Sequence, residues 1–161
     1  MKTLSKLTIA LLVVLTMVGC VGKKQSQAYY DYKSKVIGSE LDGSYTIRAW
    51  GRARNSTDAY VQAQKQAVYD VVFTGVQAAT TGQRNLNPLL FEANARDKYE
   101  DYFNAFFADH GEYKNFCSMK EKRVVTSHFK KTDAQTLCET TVCVFRSKLK
   151  QKLIDDGILK P

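Results

Sequence analysis

The amino-terminal twenty residues constrain this chain more than any other segment. Lys2 and Lys6 form a short basic head, and an apolar run of 12 residues, 7–18, follows with only two threonines in it. Twelve residues of helix extend about 18 Å, well short of the roughly 30 Å hydrocarbon core of a bilayer. A basic head before a short apolar run is typical of a signal peptide. We therefore predict that residues 1–19 are a leader and take no part in the fold.

Cys20 directly follows that leader, with the small residue Gly19 before it. This junction resembles the lipobox of bacterial lipoproteins. The resemblance implies that the Cys20 thiol is diacylated and that residues 1–19 are removed. Two or three acyl chains hold a protein stably on a membrane, whereas one chain binds only marginally. The alternative is an ordinary secretory signal whose cleavage site happens to precede a cysteine.

The lipobox resemblance implies a lipid-anchored protein of the bacterial cell envelope. The residues after Cys20 lack an acidic cluster of the kind that resembles the surface-export signals of some Gram-negative lipoproteins. We therefore expect attachment to the outer membrane, with the domain facing the periplasm. No other stretch of the sequence approaches the roughly 18 continuous apolar residues that a membrane span needs.

The charge of the mature chain bounds its partners. Removal of the leader leaves 161 − 19 = 142 residues, enough for one domain of ordinary size. The whole chain carries a net charge of +8, and the mature part has 24 − 2 = 22 basic against 16 acidic residues, or +6. Such a protein meets anionic headgroups, acidic glycans and envelope proteins rather than nucleic acid. The alternative is that the charge serves solubility alone.

After the leader, the sequence divides into a tether and one domain. Residues 20–41 have little periodicity and begin with a polar run, which predicts a tether behind the lipidated cysteine. The dipeptide Asp42-Gly43 is a turn signal, and the alternation over residues 44–53 predicts a strand with one half-buried face. The folded domain is therefore expected over residues 42–161.

A helix with an unusually small core face follows this strand. Asn55 with Asp58 three residues later predicts the N-cap, and Gly75 predicts the end of the helix. Because alanines stacked at four-residue spacing leave no bulk, this helix can lie very close to a sheet. These alanines are Ala59, Ala63 and Ala67.

The remaining elements complete an α+β pattern. Asn87-Pro88 favours the start of a second helix. Strand-like runs at 123–129 and 136–146 predict an antiparallel hairpin, and residues 147–156 predict a closing amphipathic helix. The order β-α-α-β-β-α predicts an α+β fold in which helices pack on one face of a small antiparallel sheet.

An aromatic stripe marks the second predicted helix. The spacing is helical, so the simplest interpretation is a face of the hydrophobic core. A ligand-stacking platform is the alternative. The stripe consists of Tyr99, Tyr102, Phe103, Phe106 and Phe107.

Neither a catalytic constellation nor metal-ligand spacing occurs in the sequence. The two histidines, His110 and His128, have no second His or Cys at ligand spacing, so we predict no catalytic residue, no metal and no cofactor. The nearest motif is an anion-binding turn, in which Gly51, Arg52 and Arg54 precede a helix N-terminus. A tight strand-to-helix turn explains the glycine equally well.

Three cysteines remain if Cys20 is lipidated. Cys138 and Cys143 are five residues apart on a predicted strand, so their side chains point to opposite faces and cannot bond to each other. A disulfide of Cys117 with Cys138 or Cys143 is one prediction for an oxidising compartment. Three buried, unpaired thiols are the other.

The segment 45–76 resembles the LPP20 lipoprotein family and the amino-terminal domain of the flagellar assembly protein FlgT. The resemblance rests on a strand that ends in Gly51-Arg52-Ala53, a helix N-cap, and the alanines at every fourth residue. It implies one alanine-striped helix across a small sheet and an envelope lipoprotein with an assembly, adhesion or unknown role. The family lends no shared catalytic residue. This chain departs from the family by an inserted aromatic helix at about residues 83–116.

The expected function is that of a non-enzymatic envelope lipoprotein, an interaction or assembly module tethered to the outer membrane. The alternative is a periplasmic binding module for a small apolar or anionic ligand, which would use the aromatic stripe and a basic rim. A hydrolase whose site the sequence does not reveal is the third possibility. The basic rim consists of Lys120, Lys122, Arg123, Lys130, Lys131, Lys148, Lys150 and Lys152.

Overall fold

The computed structural model describes residues 32–125 and 136–160, with the backbone alone at 121–125. Several sequence predictions fall outside the described residues. They are the leader, the lipidation of Cys20, the first part of the tether, His128, Lys130 and Lys131. No helix within the described ranges combines the length and the apolar character that a membrane crossing requires.

Five strands form one mixed sheet in the order β3-β1-β2-β5-β4. Strand β1 pairs antiparallel with β2 and parallel with β3, and the remaining neighbours are antiparallel. The α+β class predicted from the sequence is confirmed, and the parallel β1–β3 pair is an addition to the predicted sheet. The strands are β1 (Lys35–Ser39), β2 (Tyr45–Ala53), β3 (Gln77–Ala78), β4 (Cys117–Val125) and β5 (Thr136–Val144).

Four α-helices in the described residues accompany the sheet. Helix α1 continues directly into a π-helical segment, Asp70–Thr74, and a 3₁₀ turn, Glu112–Phe116, precedes β4. The helices share one hydrophobic core with Ile47 and Val142 of the sheet, which confirms the expected layering. The helices are α1 (Ser56–Tyr69), α2 (Ala95–Lys98), α3 (Glu100–Phe106) and α4 (Arg146–Asp155).

The boundary between tether and domain lies earlier than predicted. Strand β1 lies inside residues 20–41, where the sequence predicted only a tether. Val36 is buried in the core, and the strand pairs with β2 along its length. Residues 35–39 (KVIGS) do not alternate between apolar and polar side chains, so the pairing with β2 is what identifies the strand.

Helix α1 crosses β2 at very close range, as the alanine stripe predicted. Ala59 and Ala63 are fully buried. A Cβ atom at Gly51 would collide with the backbone oxygen of Ala59 and lie 2.5 Å from the amide nitrogen of Ala63. The predicted N-cap is also confirmed, because Asn55 Oδ1 accepts a hydrogen bond of 2.8 Å from the Asp58 amide.

The second helical region begins later than predicted. Residues 88–94 are not helical, and α2 begins at Ala95. The amides of Leu89 and Leu90 donate instead to the carbonyl oxygens of Val71 and Val72, at 3.0 and 2.9 Å. These bonds satisfy carbonyls at the end of the first helical region, which explains why the chain is not yet helical directly after Pro88.

Candidate functional site

A pocket of about 490 Å³ opens beside the first residues of β1 and β3. Three segments that are distant in sequence line it: residues 32–34, the end of α1 with its π-helical segment, and residues 75–88. Gln66, Asp70 and Thr74 lie at four-residue intervals and form one wall. The volume is in the range of small-molecule sites, which makes this pocket the candidate functional site.

Asp70 is the buried acid of this pocket, with 8% of its surface exposed. Gln66 Nε2 donates a hydrogen bond of 2.9 Å to Asp70 Oδ1. Burial raises the pKa of the Asp70 carboxyl, and the neighbouring Ser34, Gln66 and Thr74 side chains lower it to a smaller extent. No lysine or arginine of the described residues forms an ion pair with Asp70. The carboxylate therefore has neutral partners only, within the part of the chain that is described.

Ser34 provides a second buried polar group in the same pocket. Ser34 is 7% exposed, and its Oγ atom has no well-aligned hydrogen-bond partner within the part of the chain that the structure describes. The hydroxyl is near enough to Asp70 to lower the pKa of that carboxyl. A buried polar group without a full partner costs about 1–3 kcal/mol, so such a group calls for an explanation.

The π-helical segment shapes this wall of the pocket. The Gly75 amide donates to the Asp70 carbonyl oxygen at 2.6 Å, which is an i to i+5 bond. Gly75 has a φ of 78°, and a Cβ there would lie 2.7 Å from the carbonyl oxygen of Leu86. Single π-helical turns are frequent at functional sites. The sequence did not predict this site, and its one local signal is an acid, Asp70, beside the apolar residues Val71 and Val72.

In the structure, the residues of the predicted anion-binding turn do not lie on one face of the sheet. Gly51 faces α1 and has a packing role. Arg52 is the next residue of β2, so its side chain leaves the opposite face of the sheet, and Arg54 is exposed beyond the strand. The three residues therefore do not converge on one point. Anion binding by this turn stays a prediction.

The aromatic stripe belongs to the core. Phe103 and Phe106 are buried, and Tyr99, Tyr102 and Phe107 pack against the same cluster. Phe103 meets Phe73 edge to face, with the ring centroids 4.7 Å apart. The stripe contributes no residue to the pocket beside β1 and β3.

Two lysines of the predicted basic rim, Lys120 and Lys152, have acidic partners. Lys120 Nζ lies 3.2 Å from a carboxylate oxygen of Glu40. Lys152 Nζ lies 3.0 Å from Glu112 and 3.1 Å from Asp156. These three pairs are at the surface, where each contributes little stability. They offset the charge of these two lysines, whereas the side chains of Lys122, Arg123, Lys130 and Lys131 lie outside the described part of the chain.

The predicted disulfide is wrong for this structure, in which Cys117, Cys138 and Cys143 are free and buried. Cys117 pairs with Val144 of β5, which is 144 − 138 = 6 positions from Cys138. Six positions along a strand span about 20 Å, whereas bonded cysteines have Cα atoms within about 7 Å. Cys143 adjoins Val144 on the same strand, so it points to the face opposite Cys117. The other prediction, three unpaired thiols, matches this arrangement.

We expect the full chain, denatured without a reducing agent, to react with iodoacetamide at all three of these cysteines. The native protein should react slowly, because the thiols are buried and burial raises the pKa of Cys117 to about 11. Peptide mass mapping measures both reactions, with a reduced sample as the control. A disulfide-linked peptide from the unreduced sample would contradict the prediction.

Comparison with family models, curated proteins and solved structures finds no match to this chain. The resemblance to the LPP20 family and to the amino-terminal domain of FlgT therefore stays a prediction. Within residues 32–125 and 136–160, no three metal-ligating side chains come together as a candidate metal site. The pocket around Asp70 is thus described from its own geometry.

Proposed function

We propose that this chain is a lipid-anchored, non-enzymatic interaction module of the bacterial cell envelope, tethered to the outer membrane. The lipobox-like Cys20 supports the anchor. The first described residue of the domain, Tyr32, follows it by 32 − 20 = 12 residues. Twelve residues reach at most about 40 Å when fully extended. A tether of that reach allows the domain to meet a partner close to the membrane surface.

The observation that carries this proposal is a surface that we call the arginine–aromatic face: Tyr32, Arg48, Trp50 and Arg52. Alternate positions of β2 place Arg48, Trp50 and Arg52 on the side of the sheet away from α1. Both arginines are exposed, and Trp50 is half-buried. The Tyr32 ring meets Trp50 edge to face, with centroids 5.3 Å apart.

The composition of the arginine–aromatic face fits protein recognition. Tyrosine, tryptophan and arginine are the residue types enriched at protein interfaces and at their energetic hot spots. Arg48 Nε lies 3.1 Å from Glu139 Oε1, a pair that orients the guanidinium on the surface. The net positive charge of the mature chain favours a partner surface with exposed carboxylates. We therefore propose an envelope protein with an acidic surface as the partner.

Photo-crosslinking in intact cells tests this proposal. A photoreactive amino acid placed at Arg52 of the full chain should yield a discrete adduct with another envelope protein. The same amino acid at Gln151, which is exposed on α4, is the matched control and should not yield that adduct. Adducts with lipid alone at Arg52, or the same adducts from both positions, would contradict the proposal.

A second candidate function is the binding of a small ligand, which the pocket around Asp70 favours. This site differs from the one that the sequence suggested, because the aromatic stripe is not part of it. Its buried acid also makes an anion an unfavourable occupant, since like charges repel at short distance. The polar lining further disfavours a purely apolar ligand.

A further inference from the structure

We propose that the pocket around Asp70 binds a small organic cation, a primary ammonium on a polar body, with the Asp70 carboxylate as its counter-charge. The geometry that carries this proposal is the convergence of Asp70, Ser34 and Thr74 on one pocket. The inference is independent of the arginine–aromatic face, so either can fail without the other.

Charge is the first argument for a cationic ligand. Asp70 is the single acidic residue that lines the pocket, and Lys33 is the single basic one. The Asp70 carboxylate is buried and has only neutral hydrogen-bond partners among the described residues. A buried carboxylate is unfavourable unless it is paired, and an ammonium supplies the missing pair.

Hydrogen bonding is the second argument, and it selects an ammonium over other cations. An ammonium has three N–H donors and no acceptor. The hydroxyl groups of Ser34 and Thr74 can each donate to Asp70 and still accept through a lone pair. One carboxylate oxygen and two hydroxyl oxygens therefore match the three donors. Such an ammonium would also donate to the Ser34 Oγ atom, which has no well-aligned hydrogen bond among the described residues.

The size and the remaining lining define the body of the ligand. A pocket of about 490 Å³ accepts a molecule of roughly sugar size. Gln77, Asn85 and Asn87 are among its lining residues. Gln77 Oε1 accepts from Lys35 Nζ and Asn85 Oδ1 accepts from the Ala78 amide, which leaves the amide NH2 groups of both side chains as donors. Amides bind hydroxyl groups through both donor and acceptor atoms. An amino alcohol or an amino sugar therefore fits this pocket better than an alkylamine.

Calorimetric titration of the detergent-solubilised full chain tests the proposal. The probes are ethanolamine and glucosamine, with N-acetylglucosamine as a neutral molecule of the same ring. We expect at least one of the two amines to bind with a Kd of about 1 mM or lower. N-acetylglucosamine should bind at least about tenfold more weakly than glucosamine, because it has lost the charge. Binding of neither amine, or equal binding of glucosamine and its N-acetyl form, would overturn the proposal.

The variant Asp70→Asn locates the site, because it removes the charge and keeps the shape. Amine affinity should fall about tenfold to a hundredfold, the loss typical of a hydrogen bond to a charged group. Asp155→Asn is the matched control: Gln151 Nε2 donates to Asp155 Oδ1 at 2.8 Å, the same four-residue arrangement on an exposed helix. Full amine affinity in folded Asp70→Asn, or equal losses in both variants, would refute the assignment. Circular dichroism checks folding, and Ser34→Ala, with an expected loss of a few-fold, provides a second variant.

Discussion

Replacing Cys20 by serine is expected to abolish acyl incorporation and, with it, stable attachment to the membrane. Serine has the size of cysteine but lacks the thiol that the lipobox resemblance assigns to diacylation. Each buried methylene contributes about 0.8 kcal/mol, so the loss of two chains removes nearly all of the membrane affinity. The effect should be all-or-none rather than graded. Intact mass and metabolic labelling with palmitate measure it directly.

The control for this prediction is Ser26→Ala in the same predicted tether, which should keep the full label. The wild-type mass should correspond to a chain that begins at residue 20 and carries the lipid. A wild-type protein without lipid would instead support the ordinary secretory signal. Equal labelling of Cys20→Ser and wild type would also contradict the prediction, because the lipid would then be attached elsewhere.

Replacing Gly51 by alanine is expected to reduce the free energy of unfolding by about 3 kcal/mol, the upper end of the usual cost of overpacking. The added methyl would meet the backbone of α1 at Ala59 and Ala63. Backbone atoms cannot rotate away as a side chain can, so the helix must move off the sheet. That movement would loosen the contacts of every residue beneath α1. Urea denaturation followed by circular dichroism measures the change.

Gly38→Ala is the matched control for this prediction. Gly38 also lies in a strand of the same sheet, and a Cβ there would meet the Thr46 side chain at an ordinary distance of 3.6 Å. We expect a change within about 0.5 kcal/mol, as for most substitutions away from tight contacts. Equal losses at the two glycines would show that helix clearance is not what Gly51 provides.

The α1 region shows which structural features can be predicted from residues close together in the sequence. The cap at Asn55, the buried alanines and the end of the helical region at Gly75 were all predicted correctly. Each depends on residues within about one or two helical turns of one another. The close approach of α1 to β2 at Gly51 was also predicted. The alanine face of the helix has no bulk, and the short turn between β2 and α1 places this face opposite the strand glycine.

Strands β1 and β3 show where local patterns end. Strand β1 does not alternate between apolar and polar side chains, and β3, with two residues, is too short to show an alternation. Strand β1 pairs with β2 and with β3, so the partners of both short strands are distant in sequence. The sequence therefore predicted a tether at the position of β1 and no strand at the position of β3. Residues 88–94 were predicted wrongly for a similar reason. Pro88 favours a helix locally, but the amides of Leu89 and Leu90 in this segment donate to the distant carbonyls at the end of the first helical region.

The sequence by itself determined the α+β class and the close contact of α1 with the sheet, and it predicts the leader and the lipidation of Cys20. These properties depend on the length of one apolar run and on short-range periodicity. Only the tertiary structure decided that Cys117, Cys138 and Cys143 are unpaired and that a pocket forms around Asp70. Strand register separates Cys117 from Cys138, and the pocket brings Ser34, Asp70 and Asn85 together from three segments. Such juxtapositions depend on long-range packing, which no local pattern in the sequence encodes.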